Sequence, residues 1–286
     1  MPQQTVSRPA SVGDDAGRPL ARLLALGRPI VMGILNITPD SFSDGGRFLD
    51  PTRAIEHARR LVAEGADILD IGAESSRPYG GAVAVPQEEE IRRLDPVLPA
   101  VVALGVPVSI DTMKAQVAAA AIAAGASIVN DVWGLQRDPD MAGVVARHGV
   151  PVIVMHNREV ADPAIDIMAD IKAFFTRSLA IAERAGIAHA DIVLDPGIGF
   201  GKTPEQSITA IARLAELTSF GLPLLVGASR KRFIDKVSPA PPDRRLGGSI
   251  AGHLLAVANG AAIIRTHDVA ETVQALKVAA AIGSAR

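Results

Sequence analysis

One pattern repeats along the chain from Ile30 onward: a short apolar run, then a polar loop that often contains glycine, then a helical stretch. Most of the apolar runs are too short to be helices, lack polar alternation and are rich in Val, Ile and Leu, which is typical of parallel strands buried on both faces. We predict eight strands, at Val31–Leu35, Ile68–Ile71, Val106–Ile110, Ser127–Val129, Val150–Met155, Ile192–Leu194, Leu222–Val226 and Ala261–Ile264.

The stretches between these runs have helical character, and a glycine follows each of them closely, as expected for a left-handed helix C-cap. We predict helices at Pro51–Glu64, Glu88–Leu104, Lys114–Ala124, Met141–His148, Ile167–Ala185, Glu205–Ser219, Arg244–Asn259 and Val269–Ile282. Eight strand-then-helix units predict an α/β protein with a (β/α)8 TIM barrel. A doubly wound open sheet is the alternative, but the eight units are equivalent and show no switch point.

The predicted domain organisation is simple. Residues 1–28 are polar and rich in Gly, Pro, Ser and Arg. We therefore predict a disordered or loosely ordered N-terminal tail, which ends in a short apolar turn at Leu20–Leu26 and can cap the underside of a domain. No linker divides residues 29–286, so we predict that they form a single barrel domain.

Composition narrows the classes of function. Hydrophobic residues make up 48% of the 286 residues and charged residues 21%, the balance of a soluble globular protein. With 29 Lys and Arg against 31 Asp and Glu, and only 3% aromatic residues, we predict no nucleic-acid partner. The absence of cysteine excludes disulfides, thiolate zinc sites and cysteine nucleophiles. No apolar run is long enough for a bilayer or a signal peptide, so we expect a cytoplasmic protein without a membrane partner.

Every predicted strand runs into hydrogen-bonding or charged residues at its C-terminal end. In a TIM barrel the loops at that end build the active site. Charged groups that converge there lose hydration, so a ligand that pairs with them is expected. The residues concerned are Asn36, Glu74, Ser75, Ser76, Arg77, Asp111, Asn130, Asp131, His156, Asp195, Ser229, Arg230, Lys231, Arg265 and His267.

These residues divide into two sets by chemistry. One set suits the edge of a flat heterocycle, because a carboxylate accepts two N–H bonds from an aminopyrimidinone as it does from arginine. Its members are Asp111, Asn130, Asp195 and Lys231. The other set suits anionic oxygens, and its members are Asn36, Arg77, Arg230, Arg265 and His267. A heterocycle that carries a phosphate-type group would engage both sets.

Each of these residues also has a simpler interpretation when it is taken singly. Asp111 or Asp195 alone is as readily a helix N-cap, and Lys231 alone is more often a solvated surface lysine. A Schiff-base lysine usually lies within a barrel strand, whereas Lys231 follows one. His156 is predicted to be a packing residue.

Two loops contain several glycines. The loop Asp195–Lys202 has neither the spacing of a Walker loop nor that of a dinucleotide-binding motif, so alone it is weak evidence. The loop Asp40–Gly46 contains carboxylates and hydroxyls that suit Mg2+, and its glycines would allow it to close as a lid.

In their order along the chain, several motifs resemble those of the dihydropteroate synthase family, the pterin-binding barrels of folate biosynthesis. They cover about residues 30–283 and are Met32–Gly46, Glu74–Pro78, Ser109–Thr112, Asn130-Asp131, Met155-His156, Asp195–Lys202, Gly227–Lys231 and Arg265–Asp268. Each motif is weak alone, but together in this order they are highly specific. The resemblance implies a transferase that condenses 6-hydroxymethyl-7,8-dihydropterin pyrophosphate with p-aminobenzoate to give 7,8-dihydropteroate and pyrophosphate.

The resemblance also implies roles for individual residues. The pterin is expected to contact Asp111, Asn130, Met155, Asp195, Phe200 and Lys231. The p-aminobenzoate is expected near Phe42, Ser76, Arg77, Pro78, Ser229 and Arg232. The catalytic groups are expected to be Asn36, Lys231, Arg265 and His267, with a Mg2+ cofactor held by the phosphates, Asn36 and Asp44.

Family members are usually homodimers, and the Ala-rich segments Val117–Ala124 and Ala251–Ala258 are candidate interfaces. The chain departs from the family pattern at Ser76, Tyr79, Asn157 and Arg232. Positions 76, 79 and 232 fall in the expected p-aminobenzoate site, so both a sulfonamide-sensitive and a sulfonamide-resistant enzyme are consistent with the sequence.

Two rival functions follow from the same barrel. A methyltransferase would bind methyltetrahydrofolate through Asp111, Asn130 and Asp195, but it should lack the anion-binding set and the Asp40–Gly46 motif, and both are present. A pterin-binding paralogue without turnover is disfavoured because the anion-binding residues are intact.

Overall fold

The structure, a computed structural model, describes residues 19–37, 50–74 and 85–285. Its centre is a closed barrel of eight parallel strands in chain order, in which the last strand pairs with the first. The strands are β1 (Ile30–Asn36), β2 (Ile68–Gly72), β3 (Val108–Asp111), β4 (Ile128–Asp131), β5 (Val152–Met155), β6 (Ile192–Asp195), β7 (Leu224–Val226) and β8 (Ala261–Thr266). The closed barrel confirms the predicted TIM fold and excludes the open sheet.

The strands differ from the predicted apolar runs at both ends. Three predicted strands began two residues too early, because each run contains a proline that cannot donate to the sheet; the prolines are Pro107, Pro151 and Pro223. At the other end, Asp111 pairs in register with Asn130, and Met155 with Asp195. These residues therefore occupy the last rungs of the sheet, where the backbone ladder fixes their positions.

Helices fill the connections between strands and cover the outside of the barrel. They are α1 (Pro19–Leu24), α2 (Pro51–Ala63), α3 (Gln87–Leu94), α4 (Leu98–Val102), α5 (Ala115–Ala123), α6 (Met141–His148), α7 (Ile167–Ala185), α8 (Pro204–Ala212), α9 (Arg232–Val237), α10 (Leu246–Ala258) and α11 (Val269–Ser284). Short 3-10 helices lie at His189–Asp191, Leu214–Phe220 and Pro242–Arg244.

Three helical segments differ from prediction. The segment predicted at Glu88–Leu104 is divided into α3 and α4, because Pro96 lacks the N–H that a continuous helix needs. The segment predicted at Glu205–Ser219 ends as an α-helix at Ala212 and continues as 3-10 turns. Helix α9 was not predicted, since six residues are too few to show a helical period.

Glycines end the helices as expected, with one exception. Gly149 and Gly186 cap α6 and α7 in the left-handed region, with φ of 62° and 84°. The prediction was wrong at Gly283, which lies within α11.

Inside the barrel an apolar floor lies beneath a polar layer. The floor comprises Ile30, Met32, Ile68, Ile128, Ile153, Val193, Leu225 and Ile263. Leu20 of α1 packs against this floor and is almost fully buried. The other faces of the strands pack against the helices in a second, larger apolar cluster. Because side chains alternate along a strand, a residue two positions after a floor residue also points inward, nearer the barrel mouth.

Helix α1 falls within the segment predicted as a tail, and residues 1–18 of that segment lie outside the described part of the chain. Among the described helices, none combines the length and the apolar character needed to cross a bilayer.

Candidate active site

A pocket opens at the C-terminal ends of the strands. It is lined by Asp111, Asn130, Val132, Met155, Asp195, Ile198, Phe200, Gly227, Lys231 and Arg265. The structure thus brings together all six residues predicted for the pterin, and it places Arg265 among them.

Strand alternation accounts for this convergence. Asp195 lies two residues after Val193, and Arg265 lies two residues after Ile263, so both side chains point inward one layer above the apolar floor. Asn130 stands in the same relation to the floor residue of β4. The backbone pattern that buries the floor therefore also aims these polar groups into the mouth.

Arg265 is held between two carboxylates. Its Nε donates to Oδ2 of Asp70 at 2.6 Å, and its Nη2 donates to Oδ2 of Asp111 at 2.8 Å. The same Asp70 oxygen accepts a hydrogen bond from Nδ2 of Asn130 at 3.1 Å. Oδ1 of Asp70 and Oδ1 of Asn130 are buried and find no hydrogen-bond partner among the described residues. Four strands therefore contribute to one buried network that retains spare acceptors.

Burial shifts the titration of both pocket carboxyls. Burial raises the pKa of Asp111 to about 7, against the opposing charge of Arg265 and with a further rise from Asp70. Burial also raises the pKa of Asp195 to about 6, although the N–H of Gly197 donates to its Oδ1 at 2.7 Å and favours the ionised form. Hydrogen-bond donors from a ligand would stabilise the ionised carboxylates further.

Part of the pocket lining is apolar. Val132, Met155 and Phe200 form a small apolar cluster there. Nζ of Lys231 lies 4.0 Å from the centre of the Phe200 ring, a cation–π contact that holds the ammonium at the pocket. A flat heterocycle with donors on its edge suits such a site, because its faces meet apolar groups while its edge meets Asp111 and Asn130.

The residues predicted around the pyrophosphate lie at the C-terminal ends of β1 and β8, two strands that pair with each other. Oγ of Ser229 lies 3.0 Å from Nδ1 of His267 and accepts a hydrogen bond from the His267 backbone N–H at 3.2 Å. Asn36 is the last residue of β1 and is half-buried. Arg232 is the first residue of α9. The pairing of Ser229 with His267 joins a residue predicted for p-aminobenzoate to one predicted for pyrophosphate.

Arg230, grouped by its chemistry with the anion-binding residues, does not line the pocket. Its Nε and Nη2 donate to the carboxylate of Asp268 at 3.1 and 2.5 Å. This bidentate ion pair supplies the counter-charge of Arg230 within the chain. The anion-binding role suggested for Arg230 on sequence grounds stays a prediction.

Other predicted site residues lie outside the described residues: Phe42, Asp44, Ser76, Arg77 and Pro78. Within the ranges 19–37, 50–74 and 85–285, no three His, Asp or Glu side chains are placed to hold a metal ion together.

Two features of this region were not predicted. Asp70 stands inside the apolar run Ile68–Ile71, and a charge within a strand buried on both faces was the available signal. Lys202 ends the glycine-rich motif and is 2% exposed, whereas lysine is rarely buried so deeply.

His156 is fully buried and packs against the ring of Phe174, with 4.9 Å between ring centres.

A larger and more open depression lies on the outer wall beside α7. Its only titratable lining residues are Glu183 and His189. We assign the ligand to the smaller pocket, because converging charges that need a partner occur there and not on the outer wall.

Comparison with known proteins agrees with this geometry. The family model for pterin binding enzymes matches residues 32–267. Dihydropteroate synthase of Bacillus subtilis is 44% identical over 252 residues, which cover 88% of this chain and 87% of the relative. The enzyme of Escherichia coli K12 is 43% identical over 270 residues, which cover 92% and 95%.

Solved structures show the same likeness. Dihydropteroate synthase of Xanthomonas albilineans with 4-aminobenzoic acid is 46% identical, with a TM-score of 0.86 over 90% of this chain and 94% of that one. The same enzyme in complex with 7,8-dihydropteroate is 44% identical, with a TM-score of 0.82 over 90% and 95%. From its motifs, its barrel and these relatives, the chain belongs to the pterin-binding enzyme family, among the dihydropteroate synthases.

Proposed function

We propose that the barrel mouth is where this chain joins 6-hydroxymethyl-7,8-dihydropterin pyrophosphate to p-aminobenzoate, forming 7,8-dihydropteroate and pyrophosphate. The observation that carries this assignment is the convergence of Asp111, Asn130, Asp195 and Lys231 on one pocket with an apolar wall. The related X. albilineans enzyme has been solved with 4-aminobenzoic acid and with 7,8-dihydropteroate, a substrate and the product of this reaction.

The pterin edge pairs with acceptors that the chain leaves available. Oδ1 of Asp195 accepts a hydrogen bond from the Gly197 N–H, and we assign its Oδ2 to the pterin. Oδ1 of Asn130 is buried without a partner among the described residues, and a pterin N–H would satisfy it. The pterin ring lies against Met155 and Phe200, because its faces are apolar.

Arg265 changes partner when substrate binds. In the structure its Nη2 donates to Oδ2 of Asp111, an oxygen that the pterin N–H groups would claim. Its Nε remains on Asp70, so the guanidinium stays anchored while its Nη groups turn to the pyrophosphate oxygens. Asn36 and His267 add hydrogen bonds to the same anion.

The reaction then needs charge stabilisation more than proton transfer. The bond from the pterin methylene carbon to the pyrophosphate oxygen breaks, and its electron pair leaves with the pyrophosphate. The amine nitrogen of p-aminobenzoate bonds to the methylene carbon and afterwards loses a proton, which is acidic once the bond has formed. Arg265 and His267 stabilise the departing anion electrostatically, and no strong general base is required.

We propose Mg2+ as the cofactor. Asn36 offers one amide oxygen at the mouth, and Asp44 follows it on the first loop. Mg2+ keeps several waters and usually binds through one or two protein groups together with substrate phosphates, so this sparse donor set fits. When bound, the ion neutralises charge on the pyrophosphate.

We also propose a cytoplasmic homodimer. Of the two Ala-rich candidates, α5 buries Val117 and Ala121 within its own subunit. Leu255 on α10 and Val278 and Ile282 on α11 are instead more than half exposed. This supports an interface on α10 and α11, which sedimentation of a Leu255→Glu variant would test.

The proposed activity is tested by pyrophosphate release with the pterin pyrophosphate, p-aminobenzoate and Mg2+. We expect release that requires all three and stops when Mg2+ is chelated. No release would support the pterin-binding paralogue instead. A parallel series with sulfamethoxazole decides drug response: block at low concentration indicates a sensitive enzyme, and persistence locates resistance at Tyr79 or Arg232.

A further inference from the structure

Lys202 is buried directly behind the pocket and is bonded on all sides. Its Nζ donates to Nδ1 of His156 at 2.6 Å, to the carbonyl oxygen of Gly197 at 2.9 Å and to that of Phe200 at 3.1 Å. An ammonium group has three N–H donors, and three close acceptors surround it here. The proposed reaction gives this fully satisfied cation no part.

His156 links this lysine to the protein surface. Burial lowers the pKa of His156 to about 3, so the ring is neutral, and the nearby charge of Lys202 adds to the effect. Because Nδ1 accepts from Lys202, the proton is on Nε2, which donates to Oδ2 of Asp170 at 3.0 Å. The same oxygen accepts from Nη1 of Arg158 at 2.9 Å. The chain of bonds therefore fixes where the ammonium sits.

The loop that Lys202 holds lies tightly against the segment that follows β5. Gly197 has a φ of 66°, and a Cβ there would come within 2.0 Å of the His156 carbonyl oxygen. Gly201 has a φ of 52°, and a Cβ there would meet the Arg158 carbonyl oxygen at 2.4 Å. Both positions require glycine, and the loop 196–201 follows a single path over this segment.

This loop carries two elements of the pocket. The Gly197 N–H orients the carboxylate of Asp195. The Phe200 ring forms the apolar wall and holds Lys231 by its cation–π contact. Lys202 bonds to the carbonyls of the same two residues, Gly197 and Phe200, so its position is transmitted to both walls.

We propose that Lys202 is a positioning residue for the pterin, which acts from behind the pocket by tying Gly197 and Phe200 to the end of β5. This inference rests on the proposed function, because the ligand that the loop positions is the pterin. Burial lowers the pKa of Lys202 to about 7, and nearby Asp195 and Asp170 oppose that fall, so holding the cation here is costly. A lysine that only filled space would be replaced by an apolar residue without effect on substrate selectivity.

The first test is Lys202→Met, which keeps most of the length of the side chain and removes its donors. We expect the KM for the pterin pyrophosphate to rise about tenfold, since two buried carbonyls lose their partner. The KM for p-aminobenzoate and kcat should change less than about twofold. Equal changes in both KM values, or none in the pterin KM, would overturn the inference.

The matched control is Asn259→Ala. Nδ2 of Asn259 donates to the carbonyl oxygen of Ile211 at 2.9 Å, at the end of the barrel away from the mouth. This variant also removes a donor to a backbone carbonyl and should lower the melting temperature, but it should leave both KM values unchanged.

A double-mutant cycle tests the route of the effect. If Lys202 acts largely through Phe200, then adding Lys202→Met to Phe200→Ala should raise the pterin KM by less than about threefold. A full tenfold increase on both backgrounds would show that the two residues act independently.

Two further variants keep the test decisive. If Lys202→Met does not fold, His156→Phe removes one acceptor and keeps the ring, and a selective rise in pterin KM of about threefold is expected. Asp195→Ala separates the two proposals. If Asp195→Ala loses pterin binding while Lys202→Met and His156→Phe bind the pterin normally, only the Lys202 inference fails. If Asp195→Ala also binds the pterin normally, the assignment of the pterin to this pocket fails.

Discussion

Two cations, the half-buried Arg265 and the buried Lys202, lie beside the same pocket, and the chain stabilises them in opposite ways. Arg265 lies between the carboxylates of Asp70 and Asp111. Burial opposes its charge, but these carboxylates raise the pKa of Arg265 above its ordinary value. Lys202 is paired with two carbonyls and a neutral histidine, and burial lowers its pKa to about 7.

The difference shows what each cation is suited to do. A partner carboxylate can be claimed by an incoming ligand, and the guanidinium is then free to bind another anion. Backbone carbonyls cannot move away from Lys202 unless the loop moves with them, so Lys202 fixes the conformation of the loop. Arg265 is accordingly placed to take part in the reaction, and Lys202 to define the pocket.

The contrast between Arg265 and Lys202 depends first on Arg265 being required for turnover. We expect Arg265→Ala to lower kcat by about 100- to 1000-fold, the usual loss when a stabiliser of developing charge is removed. Binding of a pterin without pyrophosphate should fall much less, because Asp111 is released from its partner. Turnover by pyrophosphate release and calorimetry measure the two effects. The control is Arg213→Ala, which removes an exposed ion pair with Glu216. Normal turnover of the Arg265→Ala variant would show that Arg265 does not stabilise the leaving group.

The carboxylates at the pterin edge give the next largest effect. We expect Asp195→Ala or Asp111→Ala to weaken pterin binding by about 10- to 100-fold, since the pterin N–H groups lose a buried charged acceptor. Calorimetry with the free pterin tests this directly. In Asp195→Asn an acceptor for the Gly197 N–H is retained, so the loop should keep its shape and part of the affinity should return. Unchanged affinity in both alanine variants would place the pterin elsewhere.

Acidification should weaken pterin binding about tenfold between pH 8 and pH 5.5. The pKa values of Asp111 and Asp195 are raised to about 7 and about 6, so acid protonates the acceptors that the pterin requires. The folded state takes up more protons than the unfolded state from about pH 4 to pH 7. The contribution of these two groups to the free energy of unfolding therefore falls as pH rises through that window.

Calorimetry and thermal unfolding across this pH range should show the two opposite trends. The Asp195→Asn variant should reduce the pH dependence of both pterin affinity and thermal stability. An affinity that is constant from pH 8 to pH 5.5 would contradict the assignment of these carboxyls as pterin acceptors.

A smaller change tests the anchor of Arg265. In Asp70→Asn the Nε of Arg265 keeps an acceptor but loses a counter-charge, so the guanidinium should depend more on Asp111. The pterin must then displace a stronger ion pair, and we expect its affinity to fall about fivefold. The pterin KM and direct binding provide the measurement. Tighter pterin binding in this variant would show that Asp70 does not anchor Arg265.

Much of the fold was predictable because its signals are local. Apolar runs and glycine stops located all eight strands, and errors arose where prolines such as Pro96 and Pro107 interrupted a run. Asp111, Asn130 and Asp195 were found because each directly follows a short apolar run, whereas Met155 and Phe200 were assigned to the pterin only through the family resemblance. Asp70 was missed because it lies within such a run, and Lys202 because a lysine at the end of a glycine-rich loop is usually solvated.

The sequence by itself determined the barrel, which follows from eight repeated strand-then-helix units. It also determined the inward direction of Asp111, Asn130 and Asp195, which follows from the alternation of side chains along short strands. Only the tertiary structure decided which charges meet. Arg265 is separated by 195 residues from Asp70 and by 154 from Asp111 along the chain, and these distances close only when β8 pairs with β1. Closure also buries these charges, and desolvation then obliges each of them to find a partner.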